Sequence, residues 1–374
     1  MNIKYGDIVK GMSVDTQVQD RVGQLRADLL AKADGSFSNF EDFLSLPNSR
    51  FVPQVIPSVD NIKQVFLVGI GGSSLGPKAV YDVLKSPKLP KLYFLENVDR
   101  VYIDELMADG KGAAFVVVCK SGKTFETIKN LEYLTSGKFK GAVNDGNTYV
   151  VSVEGNHTWE WGKVLGAKLF PMPEVISGRF QVFSAVTAVP LGLVGIDFGK
   201  FVEGAKKSLN DSKKSEEPAS NRFQFYKNGI DTDVYFAFDE RLRSLAEWYA
   251  SITAESLGKN GRGITPIASV GSRDNHSMLQ LYLQGPRNKF TTFISLSNTD
   301  PCNLQTLEAV KKAYDDAKLP YIHVELDADS PNVLTYELGD FVQSKIIETV
   351  LLGELMEVNP YDQPGVELYK KYLQ

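Results

Sequence analysis

The amino-acid sequence predicts an α/β protein made of two doubly wound parallel-sheet domains followed by a helical tail. Three observations carry that expectation. The chain has 374 residues, about two and a half times a typical domain of roughly 150 residues. Short β-branched and aromatic runs alternate with helix-patterned stretches, and tight turns rich in glycine or hydroxyls join them. A polar, proline-containing stretch at 210–221 (NDSKKSEEPASN) separates one such series from a second, and reads as a linker.

The elements follow in order. Residues 1–50 read as a polar, partly helical lead-in, with helical periodicity over 18–33. Residues 65–68 (VFLV) form a short apolar strand, followed by a glycine turn and a helix pattern over 77–84. A second strand is expected at 92–95. The run 113–119 (AAFVVVC) is continuous, as expected of a strand buried on both faces of a parallel sheet. After a turn at 120–123 a helix pattern runs to 134, and 149–153 is a further strand. Beyond the linker, 233–238 is a strand and 241–258 a long helix. Strands at 264–269 and 290–296 flank a short helix pattern near 277–283. Residues 304–319 are helical, and 321–326 (YIHVEL) alternate with period two, as a strand does. The stretches 337–357 and 365–374 are helical. The expected organisation is therefore a helical lead-in over 1–54, a first α/β domain over 55–209, a second over 222–334 and a helical tail over 335–374.

Composition narrows the function. A net charge of −5 lacks the basic excess of a nucleic-acid binder. Two cysteines, Cys119 and Cys302, form no CxxC pair, so neither a zinc site nor a disulfide framework is expected. With only His157, His276 and His323 as histidines, chemistry is expected to run on carboxylates, lysines and hydroxyls, without metal or cofactor. No apolar run approaches the roughly 18 residues of a membrane span, and the first residues lack an apolar leader core. The expected compartment is the cytoplasm.

Two turns stand out. The first, Gly69-Ile-Gly-Gly-Ser-Ser-Leu-Gly76, joins a strand to a helix, where backbone amides can approach an anion. A dinucleotide fingerprint starting at Gly69 is broken at its third glycine position by Ser74, although Glu96 stands near where a ribose-binding acid would. The second, Cys119-Lys-Ser-Gly-Lys-Thr124, ends like a phosphate-binding P-loop but has Val117 at the required first glycine, which excludes that motif. Ser121 and Thr124 either hold a single phosphate group or merely cap the next helix. Two hydroxyl-rich turns after successive buried strands favour one phosphorylated small molecule over a nucleotide.

Six segments in register, VGIGGSSLGP at 68–77, CKSGKTFET at 119–127, GRF at 178–180, AESLGK at 254–259, DNHS at 274–277 with Gln280 and 284–286 (QGP), and NPYDQPGVE at 359–367 with Lys370, resemble the glucose-6-phosphate isomerase family of the sugar-isomerase (SIS) double-domain type. The resemblance spans nearly the whole chain. It implies two SIS-type, flavodoxin-like domains and a metal-free aldose–ketose isomerisation of sugar phosphates by ring opening and proton transfer through a cis-enediol(ate).

By that resemblance Glu255 is the base that moves the proton between C2 and C1, and Arg179 stabilises the developing enediolate. His276, contributed by the neighbouring subunit of a homodimer, and Lys370 serve ring opening. Ser73, the Lys120 amide, Ser121 and Thr124 hold the phosphate, Gly72 and Gln363 contact hydroxyls, and Glu126 is structural support near the loop. The chain departs from the family pattern at Cys119, where serine is usual, at Lys123 for threonine, at Ser251 for a substrate-contacting glutamine, and at Pro364 for tryptophan. A relaxed phosphoglucose/phosphomannose isomerase, a non-catalytic sugar-phosphate sensor on the same fold and a nicotinamide dehydrogenase are the alternatives. The joint presence of Glu255, Arg179, His276 and Lys370 weighs against the sensor, and Ser74 against the dehydrogenase.

Overall fold

In a computed structural model of the protein, the described residues are 1–56, 62–108 and 112–372. Among them ten strands follow in chain order: β1 (Asn2–Tyr5), β2 (Gln64–Val68), β3 (Lys91–Leu95), β4 (Ala113–Cys119), β5 (Thr148–Ser152), β6 (Lys168–Pro171), β7 (Thr232–Ala237), β8 (Thr265–Val270), β9 (Lys289–Leu296) and β10 (Tyr321–Leu326). They form two five-stranded sheets in two compact units, one of residues 33–199 and one of residues 1–32 with 200–374.

In the unit of 33–199 the sheet order is β3-β2-β4-β5-β6, all parallel. This is the flavodoxin-like order, in which the chain reverses direction across the sheet beside its first strand. The apolar runs explain the central strands. Val65 to Val68 and Ala114 to Cys119 are buried, so both faces of β2 and β4 are covered. Phe66 stacks between Tyr93 and Phe115, with ring centroids 5.3 and 5.5 Å apart, and ties three neighbouring strands together. Ligands of such sheets bind outside the carboxyl ends at the reversal point, and both turns singled out in the sequence lie at the carboxyl ends of β2 and β4.

In the other unit the order is β1-β10-β9-β7-β8. The four later strands are parallel and repeat the same reversal beside β7. The short strand β1 pairs antiparallel with β10, Ile3 opposite Val324, where a helical lead-in was expected. The stretch expected as a linker is mostly the first part of a helix, Lys213–Lys227, with Pro218 inside it. Two cations of this helix meet acids on other elements: Lys214 pairs with Asp340, and Arg222 with Asp233 and Glu348. The helix Pro331–Leu355 is buried along most of its length. Its Glu348 also accepts from Tyr249 at 2.8 Å and from Lys345 at 2.5 Å, so these interior charges are paired rather than orphaned. Among the described residues no helix is long and apolar enough to cross a membrane.

Candidate functional site

The first turn and the GRF segment are brought together by an absent side chain. Gly72 lies so close to the chain at Gly178 that a Cβ on it would stand 2.4 Å from the Gly178 carbonyl carbon and 2.5 Å from the Arg179 nitrogen. Only glycine permits that approach. Arg179 follows directly, buried, with its guanidinium carbon 5.0 Å from the Phe180 ring centre. The same turn is braced from its other side. Ser74 donates to Glu96 at 2.7 Å, and Lys78 bonds the second Glu96 oxygen at 2.6 Å. The carboxylate considered as a ribose ligand is therefore engaged in holding the turn.

At the end of β4 the second turn packs its hydroxyls into one cluster. Ser121 Oγ lies 3.0 Å from Thr124 Oγ1 and accepts from the Lys123 amide at 3.3 Å. The buried Cys119 thiol donates to Thr124 at 3.6 Å, which puts sulfur beneath the two hydroxyls. Thr124 stands at the N-cap of the helix Phe125–Thr135, but its side chain makes no capping bond. Its hydroxyl faces Ser121 instead. Lys120 is half-buried. Burial lowers its pKa, Glu174 opposes that, and Arg179 adds to the lowering, so the two cations and Glu174 share one electrostatic neighbourhood. Gly72, Ser73, Lys120, Ser121, Thr124 and Arg179 are thus gathered in this unit around the carboxyl ends of β2 and β4. Glycine turns, paired hydroxyls and a buried guanidinium are groups that can receive an anion. Glu126 sits half-buried in the first turn of the helix that follows.

In the other unit Glu255 stands in the last turn of the helix Arg243–Leu257. The helix is fixed on its inner side by the Tyr249 bond to Glu348 and by a 2.7 Å bond between Thr253 and Tyr235. Ser251, one turn earlier, donates to Glu255 Oε1 at 3.0 Å and so orients the carboxylate. Just past the helix, Lys259 donates to the Asn359 carbonyl and pairs with Asp362 at 3.3 Å, while Arg262 donates to the Met356 carbonyl at 2.6 Å. These bonds tie the segment leading to Gln363 to the end of the helix that carries Glu255.

His276 is exposed on the short helix Arg273–Ser277, after β8. That helix is anchored by Asp274, which accepts from the Val270 amide at 2.7 Å, from Arg273 and from Ser277. Arg273 chiefly, with those donors, holds the Asp274 pKa down to about 2. Lys370 is exposed on the helix Pro364–Lys370 and pairs with Glu367 at 2.6 Å.

Sequence reasoning missed several supporting residues. Ser152, Asn156 and Thr158 bond the carbonyls of the second turn; an asparagine just before a helix pattern was the one visible signal for them. Glu174 and the Lys259 clamp carried no signal, because their partners are set by tertiary structure.

Comparison with known proteins gives the family and the fold. The family model described as phosphoglucose isomerase matches residues 55–308. A probable glucose-6-phosphate isomerase of Haloquadratum walsbyi is 31% identical over 88% of this chain and 83% of its own length. Among solved structures, a hypothetical protein of Thermus thermophilus superposes with a TM-score of 0.81 at 24% identity, covering 100% of this chain and 99% of that one. A glucose-6-phosphate isomerase of Chlamydia trachomatis gives 0.73 at 19% identity, covering 98% and 76%. The two structures share the fold of this chain.

Proposed function

Because the chain belongs to the phosphoglucose isomerase family, we propose that it interconverts D-glucose 6-phosphate and D-fructose 6-phosphate. The observation that carries the site reading is the buried Arg179, its backbone pressed against Gly72 and its charge felt by Lys120 of the second turn. A fixed guanidinium next to an anion-receiving turn suits a phosphorylated substrate whose intermediate carries negative charge.

The phosphate rests on Ser73, the Lys120 amide, Ser121 and Thr124, and Gly72 and Gln363 contact sugar hydroxyls. Lys370 and His276 move the protons of ring opening, His276 acting in the site of the neighbouring copy of a homodimer; its exposure supports that assignment. Glu255 then takes the proton from C2 of the open-chain aldose. The electron pair of the broken C–H bond forms the C1=C2 double bond while the carbonyl pair moves onto O1, and Arg179 balances that charge; the O2 proton passes to O1, and as C2=O forms the C1=C2 pair takes the proton back from Glu255 at C1. Ser251 keeps one carboxylate oxygen in place through this transfer.

Conversion of fructose 6-phosphate, followed through an added dehydrogenase that oxidises the glucose 6-phosphate formed and reduces a nicotinamide nucleotide, tests the reading. Wild-type protein turns over, and Glu255→Gln loses about 10²- to 10⁴-fold in kcat, the range for removing a general base. Near-wild-type turnover by Glu255→Gln overturns the assignment. Parallel turnover of mannose 6-phosphate separates a strict enzyme from a bifunctional one.

A further inference from the structure

The second turn is held from behind by one short segment that no assignment above includes in the binding machinery. Three of its peptide carbonyls are occupied by side chains from the end of β5 and the start of the next helix, His157–Leu165. Ser152 Oγ lies 2.6 Å from the Cys119 carbonyl, Asn156 Nδ2 donates to the Lys120 carbonyl at 3.0 Å, and Thr158 Oγ1 donates to the Gly122 carbonyl at 3.0 Å. Ser152 and Thr158 are buried, so little water competes for these bonds. The orientation of Asn156 is determined. Its Oδ1 accepts the Trp159 amide at 2.9 Å as N-cap of the helix, which leaves Nδ2 as the atom on the Lys120 carbonyl. Gly122, at φ +73°, lies directly on Asn156; a Cβ there would be 2.7 Å from Asn156 Cγ.

Peptide planarity gives the bracing a consequence. In a trans peptide the C=O and N–H point to opposite sides. Pinning the Cys119 and Lys120 carbonyls toward residues 152–156 turns the amides of Lys120 and Ser121 the other way, away from that segment. We propose that Asn156 is the positioning residue of the phosphate turn: it fixes the backbone so that these amides are aimed at the anion before it arrives. Ser152 and Thr158 complete the brace. The inference rests on the reading of this turn as the phosphate site. Preorganised donors cost nothing to orient on binding, so their alignment appears in phosphate affinity rather than in the proton-transfer step.

Asn156→Ser is the discriminating variant. Serine caps a helix as well as asparagine does and adds no charge, but it is too short to reach the Lys120 carbonyl. Inhibition by inorganic phosphate and the KM for fructose 6-phosphate are each expected to weaken by about tenfold, the scale of one misaligned hydrogen bond to a charged group, while kcat changes less than about twofold. Thr158→Val, which keeps the shape and removes the hydroxyl, gives a smaller shift in the same direction and serves if Asn156→Ser does not fold. Combined with Ser121→Ala, either variant adds less than its single effect, because both act through the same turn. A lowered melting temperature with unchanged phosphate inhibition makes Asn156 merely structural and overturns the inference. Should Ser121→Ala itself leave phosphate inhibition unchanged, the phosphate reading of the turn falls, and the brace falls with it.

Discussion

Replacing Gly72 by alanine puts a methyl carbon 2.4 Å from the carbonyl carbon of Gly178, 2.5 Å from the Arg179 nitrogen and 2.7 Å from the Gly178 oxygen. All three are backbone atoms, so no side chain can rotate away. Ordinary contact starts near 3.4 Å, and the two segments must therefore part by about 1 Å. The strain is that of an overpacked interior, about 1–3 kcal/mol. For a unit of this size that lowers the melting temperature by roughly 2–4 °C per kcal/mol. The functional loss is larger than the loss of stability. Arg179 is the next residue along, and a misplacement of about 1 Å at a catalytic group costs on the order of 100-fold in rate. Gly76→Ala supplies the control. Its Cβ would come nearest to the Val182 side chain, at 3.0 and 3.3 Å, with the Val182 Cα at an ordinary 3.8 Å, so it adds the same methyl four residues on without pressing on the Arg179 backbone. The coupled assay and a thermal melt on both variants decide the matter. Gly72→Ala is expected to fold and to lose about 100-fold in kcat, with Gly76→Ala much nearer wild type. Gly72→Ala with kcat within about twofold of wild type would refute the claim that this close approach sets the guanidinium.

Two further outcomes follow from single side chains. His323 is buried with Nε2 2.9 Å from Ser295 Oγ, and burial, helped by Lys311 and Lys4, lowers its pKa to about 3. The unfolded chain takes this proton near pH 6.5 and the folded chain does not, so stability is complete above that pH and falls as pH drops toward 3, by about 2 kcal/mol at pH 5; thermal melts of His323→Gln should show a weaker loss between pH 7 and 5, and an unchanged loss refutes the assignment. Cys119→Ser exchanges a weak thiol donor under Thr124 for a hydroxyl, and inorganic phosphate is expected to inhibit the variant several-fold more strongly; no change removes the thiol from the phosphate site.

The layered fold was legible because parallel strands buried on both faces must be written in continuous apolar residues, as 65–68 and 113–119 are. Two edge strands were not. β1 is four residues long, half exposed, and finds its antiparallel partner more than three hundred residues away, so its letters carry no pattern of their own. β6 is as short and ends in proline. The stretch at 210–221 misled for a different reason. Its charges read as solvated, yet Lys214 and, just beyond it, Arg222 meet acids supplied by the interior helix and by β7. A charged residue looks the same in sequence whether water or a buried carboxylate satisfies it.

The candidate site divides along a similar line. Glycines and hydroxyls at strand ends are visible because turns that admit an anion need them, and the two turns were found on that basis. What braces the second turn left only one trace, the asparagine before a helix pattern at 156, since Asn156 and Thr158 act on carbonyls, and every residue has one. This bears on the cysteine at 119. If the anion is held chiefly by amides already turned toward it, loss of one hydroxyl beneath the turn removes a single donor and leaves the others in register. The substitution is then tolerable in a chain that keeps Ser152, Asn156 and Thr158. On the proposed reading a net charge of −5 is no obstacle to an anionic substrate, because the attraction would be local, from backbone amides and the buried Arg179, while salt screens the charges of the wider surface.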